Sequence, residues 1–235
     1  MIAVHTLLVT GTDTSVGKSW ISSVILRQLR GDHVSIGAYK PVCSGAEIMD
    51  DGTRMWPDPV ALASAINWTG EIDAVCPQRF KAAVVPNVAA GLEGREVDDS
   101  LLRTGLRRWE DIADYVVIEG AGGLLCPLSD RTTVADLAAD LQTPLVIVAA
   151  NRLGVINHTL LTVEVARSRG LTTAAVVLNC CDAPDDAFDP SVETNQNQLQ
   201  HWLPNVPIFE CRHSAHRLVH QSAVETVELL KLFGA

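Results

Sequence analysis

Lysine, hydroxyl and carboxylate side chains at three places in this chain could together handle phosphate groups. The first place is the stretch VTGTDTSVGKS, where Lys18 and Ser19 follow a loop that runs from Gly11 to Gly17. Backbone N–H groups of such a loop, the start of a helix and a lysine bind phosphate, and a serine hydroxyl suits Mg²⁺. The usual pattern is GxxxxGK[ST], and here Thr12 stands where its first glycine belongs. A plain turn between a strand and a helix is the alternative interpretation.

The other two places each follow an apolar run. YVVIEGAGG sets Glu119 after four apolar residues, and GAYKPVCSG sets Lys40 at the end of another run. Because the carboxyl ends of neighbouring parallel strands meet at one crevice, we expect Lys18, Lys40 and Glu119 to face one another. A carboxylate there could hold Mg²⁺, and two ammonium groups could stabilise charge that develops during phosphoryl transfer. A solvated acid or lysine at a strand end is the alternative for each.

The elements that must position these groups alternate along the chain. Apolar, β-branched runs predict strands at 5–10, 33–39, 115–120, 144–150, 173–179 and 206–209. Apolar residues at helical spacing predict helices at 18–30, 98–112, 134–141 and 156–170, with an amphipathic terminal helix at 213–233. The alternation predicts an α/β fold with a doubly wound, mainly parallel sheet flanked by helices, of the P-loop NTPase type. We expect one domain over residues 1–235.

Composition excludes several classes of partner. Of the 235 residues 47% are apolar, and the formal net charge is −10, which argues against nucleic-acid and anionic-membrane surfaces. We find no apolar run near the about 18 residues that span a bilayer. The six cysteines lack CxxC spacing and the sequence lacks a signal-peptide pattern, so we expect reduced thiols in a cytoplasmic protein.

Five motifs, taken in order, resemble those of the dethiobiotin synthetase family: VTGTDTSVGKS, GAYKPVCSG, DPVALA, IEGAGGLLCPL and RLGVINHTLLT. The resemblance covers residues 4–180 and is strongest in the first, second and fourth motifs. It implies an ATP- and Mg²⁺-dependent ligase of biotin synthesis. In that family 7,8-diaminononanoate captures CO₂ as a carbamate, ATP phosphorylates the carbamate, and the second amine displaces phosphate to close the ureido ring.

The resemblance also implies roles for individual residues. The nucleotide-binding set would be Thr14, Ser15, Val16, Gly17, Lys18, Ser19, Trp20, Asp58, Glu119, Gly120, Ala121, Gly122, Asn179 and Cys180. The Mg²⁺ ligands would be Ser19, Asp58 and Glu119, and the catalytic lysines would be Lys18 and Lys40. The substrate contacts would be Thr14, Lys40, Ser44, Gly154, Val155 and Asn157, the last three supplied by the partner chain of a homodimer.

Three departures from the family pattern leave nucleotide preference open. Ser15 stands where many members carry Glu, Ala83 and Asn87 replace a proline and a histidine, and residues 210–213 differ from the usual nucleotide loop. None of the three removes a phosphate or metal ligand that the resemblance implies.

Three other functions stay open. A related amide ligase acting on a corrinoid acid normally carries a glutaminase domain, for which 235 residues leave no room. A MinD/ParA-type ATPase switch carries an additional lysine early in its loop, whereas residues 12–15 contain none. The third is a regulatory module that binds a nucleotide but has lost catalysis, which agrees with the changes at Ser15 and 210–213. Such a module would form no product, which distinguishes it from the enzyme.

Overall fold

The apolar runs of the sequence form strands in a computed structural model, which describes residues 4–31, 34–181, 189–220, 222–223 and 226–234. In chain order the strands are β1 (His5–Gly11), β2 (Ile36–Tyr39), β3 (Cys43–Ser44), β4 (Glu47–Ile48), β5 (Arg54–Met55), β6 (Arg79–Phe80), β7 (Tyr115–Gly123), β8 (Leu145–Ala150), β9 (Thr173–Asn179), β10 (Ile208–Cys211), β11 (Val219–His220) and β12 (Ser222–Ala223). All six runs predicted as strands are therefore strands, with shifts of up to three residues at their ends.

Eight of these strands form one sheet in the order β12-β11-β10-β9-β8-β1-β7-β2. The strands from β10 to β2 run parallel, whereas β11 and β12 pair antiparallel beyond β10. The first strand of the chain lies near the middle, between β8 and β7, so the loop after β1 opens at the centre of the crevice formed by the carboxyl ends. The predicted doubly wound, mainly parallel sheet is confirmed.

Helices connect the parallel strands and cover the sheet. They are α1 (Lys18–Gly31), α2 (Pro57–Ala65), α3 (Ile72–Val75), α4 (Pro86–Leu92), α5 (Asp99–Thr104), a 3-10 helix (Gly105–Trp109), α6 (Val134–Asp140), α7 (Val155–Ser168), α8 (Val192–Trp202) and α9 (Thr226–Lys231). Within the described residues, every helix is too short or too polar to cross a membrane.

The core lies on both faces of the central strands. β1 is buried at every position after His5, and β8 is buried from its first residue to its fifth. The inward side of α1 contributes the buried residues Ile21, Val24, Ile25 and Leu29. Because apolar side chains cover both faces of the sheet, its strands are continuous apolar runs, and the loops at their carboxyl ends rest on a rigid base.

Two predicted helices differ from the structure. The helix expected at 98–112 is α5 followed by a 3-10 turn, because the Tyr39 hydroxyl donates to the Leu101 carbonyl and packs where Gly105 has no side chain. The helix expected at 213–233 is α9 alone, preceded by the short strands β11 and β12. Pairing of Val219 with Glu210 at the edge of β10 outweighs the helical spacing of that segment. Residues 221 and 224–225 of that prediction lie outside the described residues.

Candidate active site

Asn179, the last residue of β9, holds the loop between β1 and α1 in place. Gly17 has φ +90°, and a Cβ at this position would lie 2.0 Å from the side-chain nitrogen of Asn179. The same nitrogen donates to the Val16 carbonyl over 3.0 Å. Only glycine combines this backbone conformation with so close a neighbour. The structure therefore requires the glycine that precedes Lys18 in the motif. Ser15 also has a positive φ, of 59°.

Lys18 begins α1 and bends back over the loop. Its ammonium donates to the Asp13 carbonyl over 3.0 Å, and its side chain is largely buried. Burial, together with the nearby Lys40 ammonium, lowers the pKa of Lys18. The loop therefore presents a desolvated cation next to the positive end of a helix, an arrangement that binds anions.

Four side chains from four separate elements meet beside Lys18. The Ser19 hydroxyl lies 2.7 Å from Asp58 Oδ1 and 2.8 Å from Glu119 Oε1. The Lys40 ammonium lies 2.8 Å from Asp58 Oδ2 and 2.5 Å from Glu119 Oε1. The structure thus brings together the lysines and carboxylates that the sequence places far apart in the chain.

The fold positions each of these groups through local contacts. Lys40 follows β2 directly, and its backbone N–H donates to the Val75 carbonyl over 2.7 Å. Asp58 lies in the first turn of α2, two residues after Trp56 at the N-cap. Glu119, expected at a strand tip, lies within β7, which continues to Gly123. Glu119 pairs with Val9 of β1, lies one residue beyond the last pair between β7 and β2, and is fully buried.

The buried charges of this cluster compensate one another. Burial alone would lower the pKa of Lys40, but the carboxylates of Glu119 and Asp58 outweigh burial and raise it. Burial would likewise raise the pKa of Asp58, and the Lys40 ammonium lowers it below its ordinary value. Lys40 is therefore an ammonium and Asp58 a carboxylate at neutral pH, which makes this a charged site in a low-dielectric place.

One oxygen of the cluster has no partner. Glu119 Oε2 is buried and accepts no hydrogen bond from any residue that the structure describes. A buried carboxylate oxygen without a partner is costly, so a site that leaves one is suited to a ligand. The Ser19 hydroxyl and the two carboxylates offer hard oxygen donors, the kind that Mg²⁺ prefers and completes with water and phosphate. The residues present therefore fit a magnesium ion.

A cleft of about 370 Å³ opens onto this cluster. It is lined by Thr14, Ser15, Gly17, Lys18, Ser19, Trp20, Lys40, Cys43, Ser44, Asp58, Ala121 and Gly122. All but Cys43 belong to the set that the sequence analysis names. Cys43 could have been predicted as a residue of the cleft, because it lies in the sequence between Lys40 and Ser44, which both line it.

Other residues of the set lie behind or outside the cleft. Glu119 and Gly120 lie in β7 and do not line the cleft, and the Lys40 ammonium lies 3.4 Å from the Gly120 carbonyl oxygen. Val16 and Asn179 support the loop from behind, and Cys180 follows them.

The segment at the start of α7 does not reach the cleft of its own chain. Gly154 is the N-cap of α7, with φ +95°, and Val155 begins the helix. Asn157 lines a different groove, between α7 and α8, together with Leu161 and Trp202. None of the three residues lines the cleft, and Val155 instead lines a small cavity with Thr12, Asp13 and Val16 of the phosphate loop.

Ala83 lies beside the segment that follows Lys40, and Asn87 contacts the segment that precedes α6. Ser44 donates to the Val84 carbonyl over 2.6 Å, and Ala83 packs beside Gly45. Asn87 lies in α4 and donates to Asp130 over 3.0 Å. The changed segment is thus tied to the residues just after Lys40 and keeps them in place.

Comparison with known proteins gives a consistent result. A family model described as an AAA domain matches residues 5–218. An ATP-dependent dethiobiotin synthetase of Rhodopirellula baltica is 42% identical, over 83% of this chain and 78% of that protein. Another, of an Anaeromyxobacter species, is 41% identical over 86% of this chain and 87% of that protein. A third, of Escherichia coli O157:H7, is 39% identical over 75% of this chain and 78% of that protein.

Solved structures share the fold at low identity. A ParA family ATPase of Chlorobium tepidum superposes with a TM-score of 0.52 at 10% identity, over 90% of this chain and 84% of that one. The cell division ATPase MinD of Pyrococcus furiosus gives 0.50 at 13% identity, over the same shares. These likenesses show the P-loop fold alone.

Proposed function

Because the chain belongs to the dethiobiotin synthetase family, we propose that its cleft closes a ureido ring from 7,8-diaminononanoate, CO₂ and ATP. The chain is an ATP-dependent enzyme of the ligase class, and the family resemblance seen in the sequence is confirmed. The MinD/ParA alternative is not favoured, since those structures share only the fold. That residues 1–235 form one domain, and that the chain works in the cytoplasm, stay predictions.

One observation carries the proposal: a buried ammonium, Lys40, lies among carboxylates directly beside a phosphate-binding loop. A carbamate is a poor electrophile, so ring closure needs its oxygen turned into a leaving group. The carbamate oxygen attacks the γ-phosphorus, and the bond from that phosphorus to ADP breaks. The second amine then attacks the carbonyl carbon, and phosphate leaves as the ring closes. Negative charge grows on the transferring group, and a fixed cation there stabilises it.

We assign the residues of this chain as follows. Lys18 and the N–H groups of the loop from Thr14 to Gly17 hold the β- and γ-phosphates. Lys40 lies where the carbamate and the γ-phosphate meet, and Ser44 positions the substrate. The backbone from Gly120 to Gly122 borders both ligands. We assign to the nucleoside part of ATP the contacts with Trp20, Asn179 and Cys180.

We propose that Ser19, Asp58 and Glu119 hold Mg²⁺. The unpartnered Glu119 Oε2 supports this assignment, because a cation would satisfy it. When bound, the ion supplies positive charge that neutralises the phosphate oxygens. Asp58, being partly exposed, keeps its oxygens accessible from the cleft.

The reaction is tested by mass spectrometry on mixtures of enzyme, ATP, Mg²⁺, bicarbonate and 7,8-diaminononanoate, with each component omitted in turn. We expect dethiobiotin only in the complete mixture. ATP binding without any dethiobiotin would contradict the proposal and favour the regulatory module or the amide ligase.

We also propose that the enzyme is a homodimer whose site takes Gly154, Val155 and Asn157 from the partner chain. Their position outside the cleft of their own chain supports this. These residues begin a helix, and its N-terminal N–H groups suit the carboxylate at the tail of the substrate.

Mixing two defective variants tests the shared site. Lys40→Ala and Asn157→Ala are each expected to be impaired, because they lack different parts of one site. A mixed dimer has one site that combines wild-type Lys40 with wild-type Asn157, so we expect activity to reappear when the two are mixed and exchanged. The control mixes Lys40→Ala with Glu119→Gln. Both residues belong to the half of the site that a single chain supplies, so no site in the mixed dimer is intact and activity should not reappear. Absence of recovery in the first mixture would show that Asn157 acts within its own chain or not at all.

A further inference from the structure

Asn195 places a polar side chain at one of the few buried positions of α8. Of the residues of this helix only Asn195 and Leu199 are buried, and Asn195 is 2% exposed. An amide without a hydrogen bond is costly in the interior of a protein. The contacts that Asn195 makes therefore indicate what it does.

The side chain of Asn195 holds the segment that leads from β8 into α7. Its amide nitrogen donates to Asn151 Oδ1 over 2.8 Å and lies 3.5 Å from the Arg152 carbonyl oxygen. Asn151 directly follows β8 and is itself buried. Its backbone N–H donates to the Asn179 carbonyl over 2.8 Å. Asn151 is thus fixed both through its side chain and through its backbone.

Asp189, three residues before α8, holds the same segment two residues further on. Its Oδ2 accepts the Leu153 N–H over 2.8 Å, and its Oδ1 accepts the Ser191 N–H over 2.9 Å. The hydrogen bonds from Ser191 and Leu153 lower the pKa of Asp189, so it is a carboxylate at neutral pH. The Leu153 side chain is 82% exposed, so packing does not anchor this residue. Its backbone is held by Asp189 instead.

The residues that follow directly are those assigned above to the site of the partner chain. Gly154 is the N-cap of α7, with φ +95°, and Val155 begins the helix. Because glycine permits many backbone conformations, hydrogen bonds at residues 151–153 restrict the turn that starts α7. The start of α8 therefore restricts the start of α7.

We propose that Asn195 and Asp189 are positioning residues, which hold the start of α7 where it meets the substrate bound by the partner chain. The inference rests on the proposed function, because it takes Gly154, Val155 and Asn157 to complete the partner's site. Without these hydrogen bonds the start of α7 spends part of its time in other positions, and the apparent affinity for the substrate falls by the fraction lost.

Substrate affinity in matched variants tests the proposal. For Asn195→Leu, which removes the hydrogen bonds but fills the space, we expect the KM for 7,8-diaminononanoate to rise at least about fivefold, the smallest cost of leaving a buried polar group unpaired. The kcat and the Kd of ATP should stay unchanged, since the substrate tail is remote from the reacting atoms. Asn197→Leu, at an exposed position of the same helix, should change none of these values.

Asp189 gives a second test that leaves the interior of the fold untouched. Asp189→Ala should raise the same KM, because the Leu153 N–H loses its acceptor. Asp189→Asn keeps an oxygen that accepts from Leu153, so it should restore most of the affinity. Failure of Asp189→Asn to do so would show that the hydrogen bond is not what positions α7.

Mixed dimers show on which site Asn195 acts. When Asn195→Leu is mixed and exchanged with Lys40→Ala, turnover with the wild-type KM should appear, because one site combines an unaltered cleft with an unaltered start of α7. When it is mixed with Asn157→Ala, no such turnover should appear, since both variants alter the start of α7. The opposite pattern shows that Asn195 acts on the cleft of its own chain, through Asn179, and overturns the proposal.

The inference and the proposed function can fail separately. An unchanged KM in both Asn195→Leu and Asp189→Ala overturns the positioning role and leaves the reaction and the shared site intact. If Lys40→Ala and Asn157→Ala do not restore each other, the shared site is wrong and the positioning role falls with it. If the wild type forms no dethiobiotin, calorimetry gives the Kd of 7,8-diaminononanoate instead. A rise of that Kd in Asn195→Leu supports the positioning role, and an unchanged Kd overturns it.

Discussion

A Lys40→Ala variant is expected to form dethiobiotin about a hundred to a thousand times more slowly than the wild type, the usual effect of removing one group that stabilises a transition-state charge. The Lys40 ammonium is buried and contacts both Asp58 and Glu119. The loss should fall on kcat, because the charge that Lys40 neutralises develops only during transfer. Steady-state rates from the mass-spectrometric assay measure it.

Two controls separate this effect from damage to the fold. Removing Lys40 leaves two buried carboxylates without their ammonium, which costs stability, so circular dichroism and ATP binding should accompany the rate. Lys81→Ala, which removes an exposed lysine, should retain full turnover. A Lys40→Ala enzyme that keeps near-normal turnover would refute the catalytic role.

For Glu119→Gln we expect the Mg²⁺ concentration needed for half-maximal turnover to rise at least about a hundredfold. Loss of a group that only supports a metal ligand costs 10- to 100-fold in affinity, and loss of a ligand should cost at least as much. The amide keeps the size of the carboxylate but removes the charge that a cation needs. Titration of product formation with Mg²⁺, at fixed ATP, measures the shift.

The matched control for Glu119→Gln is Glu164→Gln, which removes a solvated carboxylate on α7. It should leave the Mg²⁺ requirement unchanged. A different result for Glu119→Gln is informative: a lower maximal rate at an unchanged Mg²⁺ requirement means that Glu119 only positions Lys40. The metal assignment would then be wrong.

Local sequence signals predict the central parallel strands and the loop after β1. The strands are continuous apolar runs because both faces of the sheet are covered, and the loop has a motif whose glycine is required by the backbone at Gly17. By contrast, α8 has few apolar residues, and of its residues only Asn195 and Leu199 are buried. Without a wide apolar stripe, its sequence does not stand out as a helix that packs on the sheet.

The candidate site depends on contacts that no local pattern encodes. Ser19 and Glu119 are 100 positions apart, and Asp58 joins them from a helix that the periodicity does not predict. Sheet topology can bring Lys40 and Glu119 to one crevice, but Asp58 enters the expected set only through the family resemblance. The same holds for the terminal segment, where strand pairing beside β10 replaces a predicted helix.

The two short antiparallel strands beyond β10 also affect how the molecule meets other proteins. An open edge of a parallel sheet presents unpaired N–H and C=O groups to any extended chain, and long flat edges promote aggregation. In the part of the chain that the structure describes, β11 and β12 continue the sheet by two residues each, and the opposite edge, β2, has four. Within the described residues, both borders of the sheet thus offer little length for pairing with a strand of another protein.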